Sequence, residues 1–465
     1  MSDDRPAVAG TWGRFAPLRA YRELRRDFDR AVFVLAAGDL VASFGFALIF
    51  PFLTIYLTSR LGASAFEAGL VLALYSVFSV VSNAAGGWLA DRFGRRRVMI
   101  GSITLTAVTV MAMGQARDLP TIGALTMLLG LVDPAFIPAA RAAIADVVVE
   151  ARRPRAYALL SVAASVGWIA GPAVGAGLSG LGYPFLFAAA GVVIGGYTLV
   201  LLFFMPETRP SDAAVAAAHR REAGIRAASP EVAHCGLECE ARHVHRYAPE
   251  VEARLAVDRR KIFAAFTLLA ILLHAGSFQW VVTLPLHAVA DLGVSAQQWG
   301  LLFSLNGLLI IFFQLRISTF TERRSKPRII GLGTGAYALG YVVVATIPGA
   351  AAALPLLAFT IVLATIGEML VFPLSPALVS DLSPMQARGR YQGVFGAAVG
   401  AGSAFGPPVG GYILDVAPGA TLWLLTAGVL AAGAFALWLL GRWTDRLPAP
   451  ADVEAGALPE TARPG

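Results

Sequence analysis

The stretch LTMLLGLVDPAFIPAARAAIADV, residues 125–147, has the length and apolar character of a helix that crosses a lipid bilayer. Apolar stretches of about 20 residues recur along almost the whole chain, a pattern typical of a helical protein with many membrane spans. Asp133 lies near the middle of the quoted stretch, although an ionised carboxylate in hydrocarbon costs several kcal/mol or more. We therefore expect Asp133 to face water or a partner inside the protein and to have a function.

The composition of the 465-residue chain supports this class, because 57% of the residues are hydrophobic and only 14% are charged. The net charge of +7 comes from arginines in alternate polar breaks, whereas the other breaks hold only Arg60 and Arg117. This asymmetry is the positive-inside bias, so the basic excess does not indicate nucleic-acid binding. Lysine occurs only at Lys261 and Lys326, which suggests a GC-rich bacterial genome. We predict a multi-pass protein of the bacterial plasma (inner) membrane with both termini in the cytoplasm.

Twelve apolar spans are predicted, and a polar stretch separates the sixth from the seventh. The predicted fold class is an all-α integral membrane protein with twelve transmembrane helices in two pseudo-symmetric six-helix halves. The predicted segments are a cytoplasmic N-terminal segment (1–31), an N-terminal half (32–205), a cytoplasmic linker (206–260), a C-terminal half (261–441) and a cytoplasmic tail (442–465).

The two halves repeat one another in sequence. An offset of 235 residues places Asp133 on Glu368 and Asp146 on Asp381, and an offset of 231 places Asp91 on Glu322. The first offset also superposes two Gly-Pro motifs: Gly167, Gly171, Pro172 and Gly175 fall on Gly402, Gly406, Pro407 and Gly410. Two halves related in this way are the plan of many secondary transporters.

The segment GGWLADRFGRRR, residues 86–97, resembles the signature G-x-x-x-D-R-x-G-R-R of the major facilitator superfamily. The matching positions are Gly87, Asp91, Arg92, Gly94, Arg95 and Arg96. The resemblance implies a conformational switch, in which Arg95 reaches Asp146 and Asp91 faces the N-terminus of the eleventh span when the cavity opens outward. The alternative is that the arginines only anchor the chain at the membrane surface.

The Gly-Pro motifs resemble those of drug:proton antiporters within this superfamily. GWIAGPAVGA (167–176) matches their fifth-span pattern except at Ala176, GSAFGPPVGG (402–411) repeats it, and GFALIFPFL (45–53) is similar to their first span. Glycines at i, i+4 and i+8 let helices approach closely, so we expect both motifs to shape the interface on which the halves rock. One departure weakens the antiporter interpretation: the fourth-span arginine of that group is Thr126 here.

The resemblance also implies that spans one, four, seven and ten line a central cavity. Each of these spans carries one ionisable group, namely Asp39, Asp133, His274 and Glu368. Asp133 and Glu368 occupy equivalent positions, so we expect both to face the cavity and to exchange a proton with a cationic substrate. The alternatives are that Asp39 is an interfacial charge, that His274 is a neutral interhelical residue, and that Asp133 pairs with Arg141.

The middle loop contains the sequence HCGLECEARHVHR. Cys235, Cys239 and His243 are spaced i, i+4 and i+8, with His245 nearby, and thiolate and imidazole ligands suit zinc or copper(I). No C-x-x-C pair is present, and the flanking composition favours a disordered or loosely helical linker. We therefore predict no metal site and no cofactor.

The favoured function is proton-coupled efflux of cationic or lipophilic small molecules by alternating access. The first alternative is a facilitator or proton symporter that imports a nutrient, and a second is a metal-responsive or metal-exporting carrier. The predicted partners are a small-molecule substrate, protons and the lipid bilayer, with the chain acting alone. No nucleotide-binding loop or other catalytic motif is found, so the chain is not expected to be an enzyme.

Overall fold

A computed structural model describes residues 28–148, 152–208, 249–321, 324–383 and 388–445 of the chain. Every regular element in these ranges is a helix. The helices of the N-terminal half are α1 (Arg30–Leu61), α2 (Ala65–Phe93), α3 (Arg95–Met113), α4a (Leu119–Val132), α4b (Phe136–Val147), α5 (Arg153–Ser179) and α6 (Tyr183–Phe204). Those of the C-terminal half are α7a (Pro249–Ser277), α7b (Gln279–Ala290), α8 (Ala296–Thr321), α9 (Lys326–Ala345), α10 (Ala350–Leu382), α11 (Arg388–Val416) and α12 (Gly419–Thr444).

The all-α fold with twelve spans in two halves is confirmed, and α4 and α7 are single spans that are each interrupted once. Eleven spans in the described ranges are long and apolar enough to cross a membrane by composition. The twelfth, α11, falls below that criterion because Gly402, Gly406, Pro407, Pro408 and Gly410 contribute little hydropathy. The helix of the seventh span begins at Pro249, inside the range predicted as linker.

Local chemistry explains several helix boundaries. At the start of α2, Ser64 and Glu67 form a capping box in which each side chain accepts a hydrogen bond from the other's backbone N–H. At the start of α4a, the Asp118 carboxylate accepts a hydrogen bond from the backbone N–H of Thr121 at 2.8 Å, and this bond lowers the pKa of Asp118. Between α2 and α3, Gly94 has φ +98°, a conformation that side-chain-bearing residues rarely adopt.

The two helix breaks have identifiable causes. Pro134 lacks an N–H donor, and the chain forms a 3-10 turn over Asp133–Ala135 between α4a and α4b. At the break in α7, the Tyr341 hydroxyl accepts a hydrogen bond from the backbone N–H of Trp280 at 3.1 Å and donates one to the Gly276 carbonyl at 2.8 Å. A side chain of α9 therefore satisfies backbone groups that the break leaves free.

Equivalent helices pack alike in both halves. In the N-terminal half α1 packs on α5, α2 on α4a and α3 on α6; in the C-terminal half α7a packs on α11, α8 on α10 and α9 on α12. The halves contact each other mainly through α2 with α11 and through α5 with α8. We call the end that holds the α2–α3 turn the arginine-rich end and the other end the opposite end.

The first three glycines of each Gly-Pro motif pack against a helix of their own half, whereas the motif prolines Pro172 and Pro407 face the other half, so the role of the motifs in rocking stays a prediction. A Cβ atom at Gly167 would lie 2.5 Å from the Leu40 carbonyl oxygen of α1, and one at Gly402 would lie 2.4 Å from the Ile271 carbonyl oxygen of α7a. The next motif glycines repeat this contact: Gly171 and Gly175 approach α1, and Gly406 and Gly410 approach α7. Close contacts between the halves occur where Gly69 faces the Pro407 carbonyl and Gly300 faces the Pro172 carbonyl, and also at Gly307 and at Gly411, the last residue of the second motif.

Candidate functional site

A cavity of about 480 Å³ lies between the halves. Nine aromatic residues line it: Phe46, Phe50, Tyr75, Trp168, Phe278, Trp280, Phe303, Tyr337 and Phe372. The Trp280 ring stacks on Phe303 with centroids 4.9 Å apart, and Phe303 stacks in turn on Trp168 at 6.4 Å. Such faces bind lipophilic molecules by apolar contact and cations through the negative face of the ring.

Glu368 of α10 is the one charged side chain among the described residues that line this cavity. Its Oε2 atom accepts a hydrogen bond from Nδ2 of Asn306 at 2.8 Å, and the same amide donates to the hydroxyl of Thr365 at 3.0 Å. Asn306 therefore positions the carboxylate, and the carboxylate places a negative charge beside the aromatic walls.

Asp133, the equivalent residue of the N-terminal half, does not line the central cavity, contrary to our expectation. Its Oδ2 atom accepts a hydrogen bond from the hydroxyl of Tyr75 at 3.1 Å. It lines a separate narrow slot of about 30 Å³ inside the N-terminal half. Phe46, Phe50 and Tyr75 line both spaces, so these three rings form a wall between Asp133 and the central cavity.

The repeat explains this asymmetry between the two carboxylates. The offset of 231 residues places Ser277, Val281 and Asn306 at the positions of Phe46, Phe50 and Tyr75. Both carboxylates thus accept a hydrogen bond from the same position of the repeat, on α2 or α8. Smaller side chains replace all three rings in the C-terminal half, and Glu368 consequently reaches the cavity. The sequence interpretation missed Tyr75, although the repeat register pairs it with Asn306.

The other two predicted cavity groups lie elsewhere. His274 is 5% exposed, its Nδ1 atom lies 2.9 Å from the Ala270 carbonyl oxygen, and its ring packs edge-on against Phe372 and Phe395. It does not line the central cavity, so the prediction that it faces this space was wrong.

Asp39 and Arg141 line another pocket of about 500 Å³, towards the arginine-rich end of the N-terminal half. Ser43, Tyr157 and Ser161 complete its polar wall. Arg141 thus shares a pocket with Asp39, whereas Asp133 has Tyr75 as its hydrogen-bond partner.

The signature motif forms an ion-pair cluster at the arginine-rich end. Arg95 lies 3.0 Å from Asp91 through Nη2 and 3.0 Å from Asp146 through Nε. The Arg95 side chain is 11% exposed and that of Asp91 is 72% exposed, so Arg95 is the buried centre of the cluster. Lys326 and Asp381, which occupy the positions of Arg95 and Asp146 in the repeat, pair in the C-terminal half.

Other motif residues have structural contacts. A Cβ atom at Gly94 would lie 2.4 Å from Oε2 of Glu207, and Oε1 of Glu207 accepts a hydrogen bond from the Arg95 backbone N–H at 2.9 Å. Sequence reasoning missed Glu207, which follows the end of α6. Arg96 donates a hydrogen bond to the Leu202 carbonyl, and the Arg92 guanidinium lies 5.3 Å from the Trp88 ring centroid.

The close approach of α2 to α4 occurs at Gly86 and not at Gly87. A Cβ atom at Gly86 would lie 2.7 Å from the Cα atom of Ala135, whereas one at Gly87 would only reach ordinary contact at 4.0 Å from Pro138. The backbone of α2 thus passes directly against the 3-10 turn that holds Asp133.

At the opposite end, Asp415 joins the two halves. Its Oδ1 atom accepts a hydrogen bond from the backbone N–H of Ala65 at 2.9 Å, and Oδ2 accepts one from that of Phe66 at 2.8 Å. A carboxylate at the end of α11 therefore caps the positive N-terminus of α2 across the interface. We call this contact the Asp415 latch.

Among the described residues, no group of three or more histidine, cysteine, aspartate or glutamate side chains could hold a metal ion. The weak candidates Cys235, Cys239, His243 and His245 lie outside the described residues.

Comparison with known proteins agrees with this architecture. The model of the Major Facilitator Superfamily matches residues 35–281 and 266–464. An uncharacterized MFS-type transporter of Bacillus subtilis, YttB, is 26% identical over 83% of this chain and 89% of its own length. The multidrug resistance protein MdtG of Serratia proteamaculans is 32% identical, over 40% of this chain and 46% of its own length.

Solved structures show the same fold. A POT family transporter in complex with 5-aminolevulinic acid has a TM-score of 0.70 at 14% identity, covering 89% of this chain and 96% of that one. The nucleoside transporter NupG has a TM-score of 0.66 at 16% identity, covering 88% and 99%. The superfamily consists of transporters, so the prediction that the chain is not an enzyme is confirmed. With a family match along nearly the whole chain and a multi-pass helical fold in two halves, the chain belongs to the Major Facilitator Superfamily.

Proposed function

We propose that this transporter exports cationic or lipophilic small molecules from a bacterial cell in exchange for protons, acting as a single chain. The observation that carries the proposal is the lone carboxylate of Glu368 in a cavity walled by aromatic rings. An ionised carboxylate in this setting attracts a cation, while a protonated one does not, so a single proton controls affinity for the cargo.

The sidedness of the proposal follows from the arginines. By the positive-inside bias, the arginine-rich end lies in the cytoplasm together with both termini. On this assignment the Asp415 latch closes the outer end, and this supports a conformation that accepts cargo from inside.

In the proposed cycle, a cation enters from the cytoplasm and binds beside ionised Glu368. The halves rock, the latch opens and the cavity faces outward. Protonation of Asp133 or Glu368 then releases the cargo, and return of the proton resets the carrier. In the outward-facing state, Asp91 moves towards the N-terminus of α11. The ion-pair cluster of Arg95 then closes the arginine-rich end.

The test uses inside-out membrane vesicles with an imposed, acid-inside pH gradient and a pH-sensitive dye. Cationic compounds are added first, and wild type is compared with Glu368→Gln and Asp133→Asn. We expect compound-dependent release of protons from the lumen, which both substitutions abolish. If protons move but both variants behave as wild type, neither carboxylate couples the exchange. If no compound moves protons, exchange is refuted. Import of a nutrient then becomes the preferred function.

A further inference from the structure

The slot that holds Asp133 contains two more polar side chains, which the proposed transport cycle has not used. Thr106 of α3 and Thr126 of α4a line the slot and are 3% and 1% exposed. Their hydroxyl oxygens have no hydrogen-bond partner among the described residues. Buried hydroxyls are nearly always paired with protein or ordered water, and water in this space would supply the partner that both hydroxyls lack.

The register of the helices places these groups in a row. Thr126 precedes Asp133 by seven residues on α4, which corresponds to about 10 Å along the helix. The Ser102 hydroxyl donates a hydrogen bond to the Val132 carbonyl at 2.7 Å, which fixes the level of α3 against α4 beside Asp133. Thr106 lies one turn further, about 6 Å towards the opposite end, and hence between Asp133 and Thr126.

The axial steps, about 6 Å from Asp133 to Thr106 and about 4 Å from Thr106 to Thr126, are comparable to the span of two hydrogen bonds through one water molecule. The slot volume of about 30 Å³ matches the space of a few water molecules at most and excludes a cargo molecule. The wall of Phe46, Phe50 and Tyr75 keeps this space apart from the central cavity.

We propose that the slot is a proton pathway, in which ordered water, Thr126 and Thr106 conduct protons between the opposite end and Asp133. The inference rests on the proposed function, because it assigns the exchanged proton a route separate from that of the cargo. In each step an oxygen accepts one proton and passes on another. The only net change is that the Asp133 carboxylate becomes a carboxylic acid as one proton leaves the outer solution.

The groups that face Asp133 suit this role. Tyr75 of α2 is the other titratable side chain among the described residues that line the slot. The lining residues from α1, α3 and α6 carry no charge. Asp133 therefore has no cationic partner in the slot that would hold it permanently ionised, and its hydrogen bond from Tyr75 connects the pathway to the wall of the central cavity.

The test replaces the hydroxyls with methyl groups of similar size, in Thr106→Val and Thr126→Val. If the hydroxyls were only unpaired buried groups, their removal would leave transport unchanged and raise thermal stability. Thr334→Val is the matched control, because Thr334 is 2% exposed on α9, the counterpart of α3, and its hydroxyl already donates to the Ile330 carbonyl at 2.8 Å.

In proteoliposomes with a pH dye inside, we expect both slot variants to slow cargo-driven proton movement by about tenfold or more. The control Thr334→Val should move protons at the wild-type rate. Binding of tetraphenylphosphonium to the purified protein should be unchanged in all three, because Glu368 remains. Wild-type proton movement in both slot variants would overturn the proposal.

A second measurement separates this proposal from the proposed function. A pH jump on purified protein without cargo is followed through the infrared carbonyl band that Asp133→Asn removes. We expect slower protonation in Thr126→Val than in wild type and in Thr334→Val. Equal rates would overturn the pathway even if cargo drives protons. Slower rates with no cargo-driven proton movement in wild type would instead refute the exchange and retain the pathway.

Discussion

Replacement of Asp415 by asparagine should shift the transporter towards the state that is open at the opposite end. The carboxylate accepts two hydrogen bonds from the first turn of α2, at 2.9 and 2.8 Å, and these bonds join residues 350 and 349 positions apart in the chain. Asparagine keeps one acceptor oxygen but loses the second and the charge that favours a helix N-terminus.

The magnitude follows from these two contacts. A hydrogen bond to a charged group contributes about 1.5–3 kcal/mol, but exposure to solvent reduces this value. Because Asp415 is exposed, we expect Asp415→Asn to reduce the free energy that favours the latched state by about 1–2 kcal/mol. This corresponds to a shift of roughly 5- to 30-fold in the ratio of latched to unlatched protein.

The assay is the distance between spin labels on the two halves at the opposite end, at Leu181→Cys and Thr346→Cys, with Cys235 and Cys239 replaced by serine. We expect Asp415→Asn to increase the population with the longer distance. Asp291→Asn is the control, because Asp291 lies at the same end but pairs with His287 in its own half at 2.8 Å. An unchanged distribution in Asp415→Asn, or an equal shift in the control, would refute the latch.

Three further predictions concern the cavity, the packing and the switch. Glu368→Gln should weaken tetraphenylphosphonium binding by roughly 2 kcal/mol, about thirtyfold, in equilibrium titrations; unchanged affinity would exclude Glu368 as the counter-ion. Gly171→Val should destabilise the protein by about 2 kcal/mol in thermal unfolding, because a Cβ atom there would lie 2.8 Å from atoms of α1, whereas Gly177→Ala, with open space around it, should not; equal melting would contradict the tight contact. Arg95→Lys should lower transport roughly tenfold, because a single ammonium group cannot bridge Asp91 and Asp146 as the guanidinium fork does; full activity would show that charge alone suffices.

Much of the fold could be predicted from local physical chemistry. Hydropathy and length identified the spans, and α11 shows the limit of that signal, since its glycines and prolines lower its hydropathy without preventing a helix. The break at Asp133 was less apparent, although Pro134 follows it directly. The Arg95–Asp146 pair was implied by the resemblance of the α2–α3 segment to the superfamily signature.

Contacts between helices were harder to predict. The glycine spacing in α5 and α11 correctly indicated close approach, but sequence alone could not say which neighbouring helix would be approached. A small-residue face allows contact with any helix, and only the assembled bundle selects α1 and α7. Of the glycines that face the other half, Gly69, Gly300 and Gly307 belong to no motif, whereas Gly411 ends the second Gly-Pro motif.

The sequence by itself determined which segments are long and apolar enough to span a membrane, that the halves repeat, and which span holds each carboxylate, because hydropathy and repeat register act along the chain. Only the tertiary structure decided which carboxylate meets the central cavity. Three aromatic rings from two other helices cover Asp133, whereas the smaller side chains at the equivalent positions leave Glu368 open. Access to a buried charge depends on the volume of neighbouring side chains in space, and that property is not encoded at the position of the charge itself.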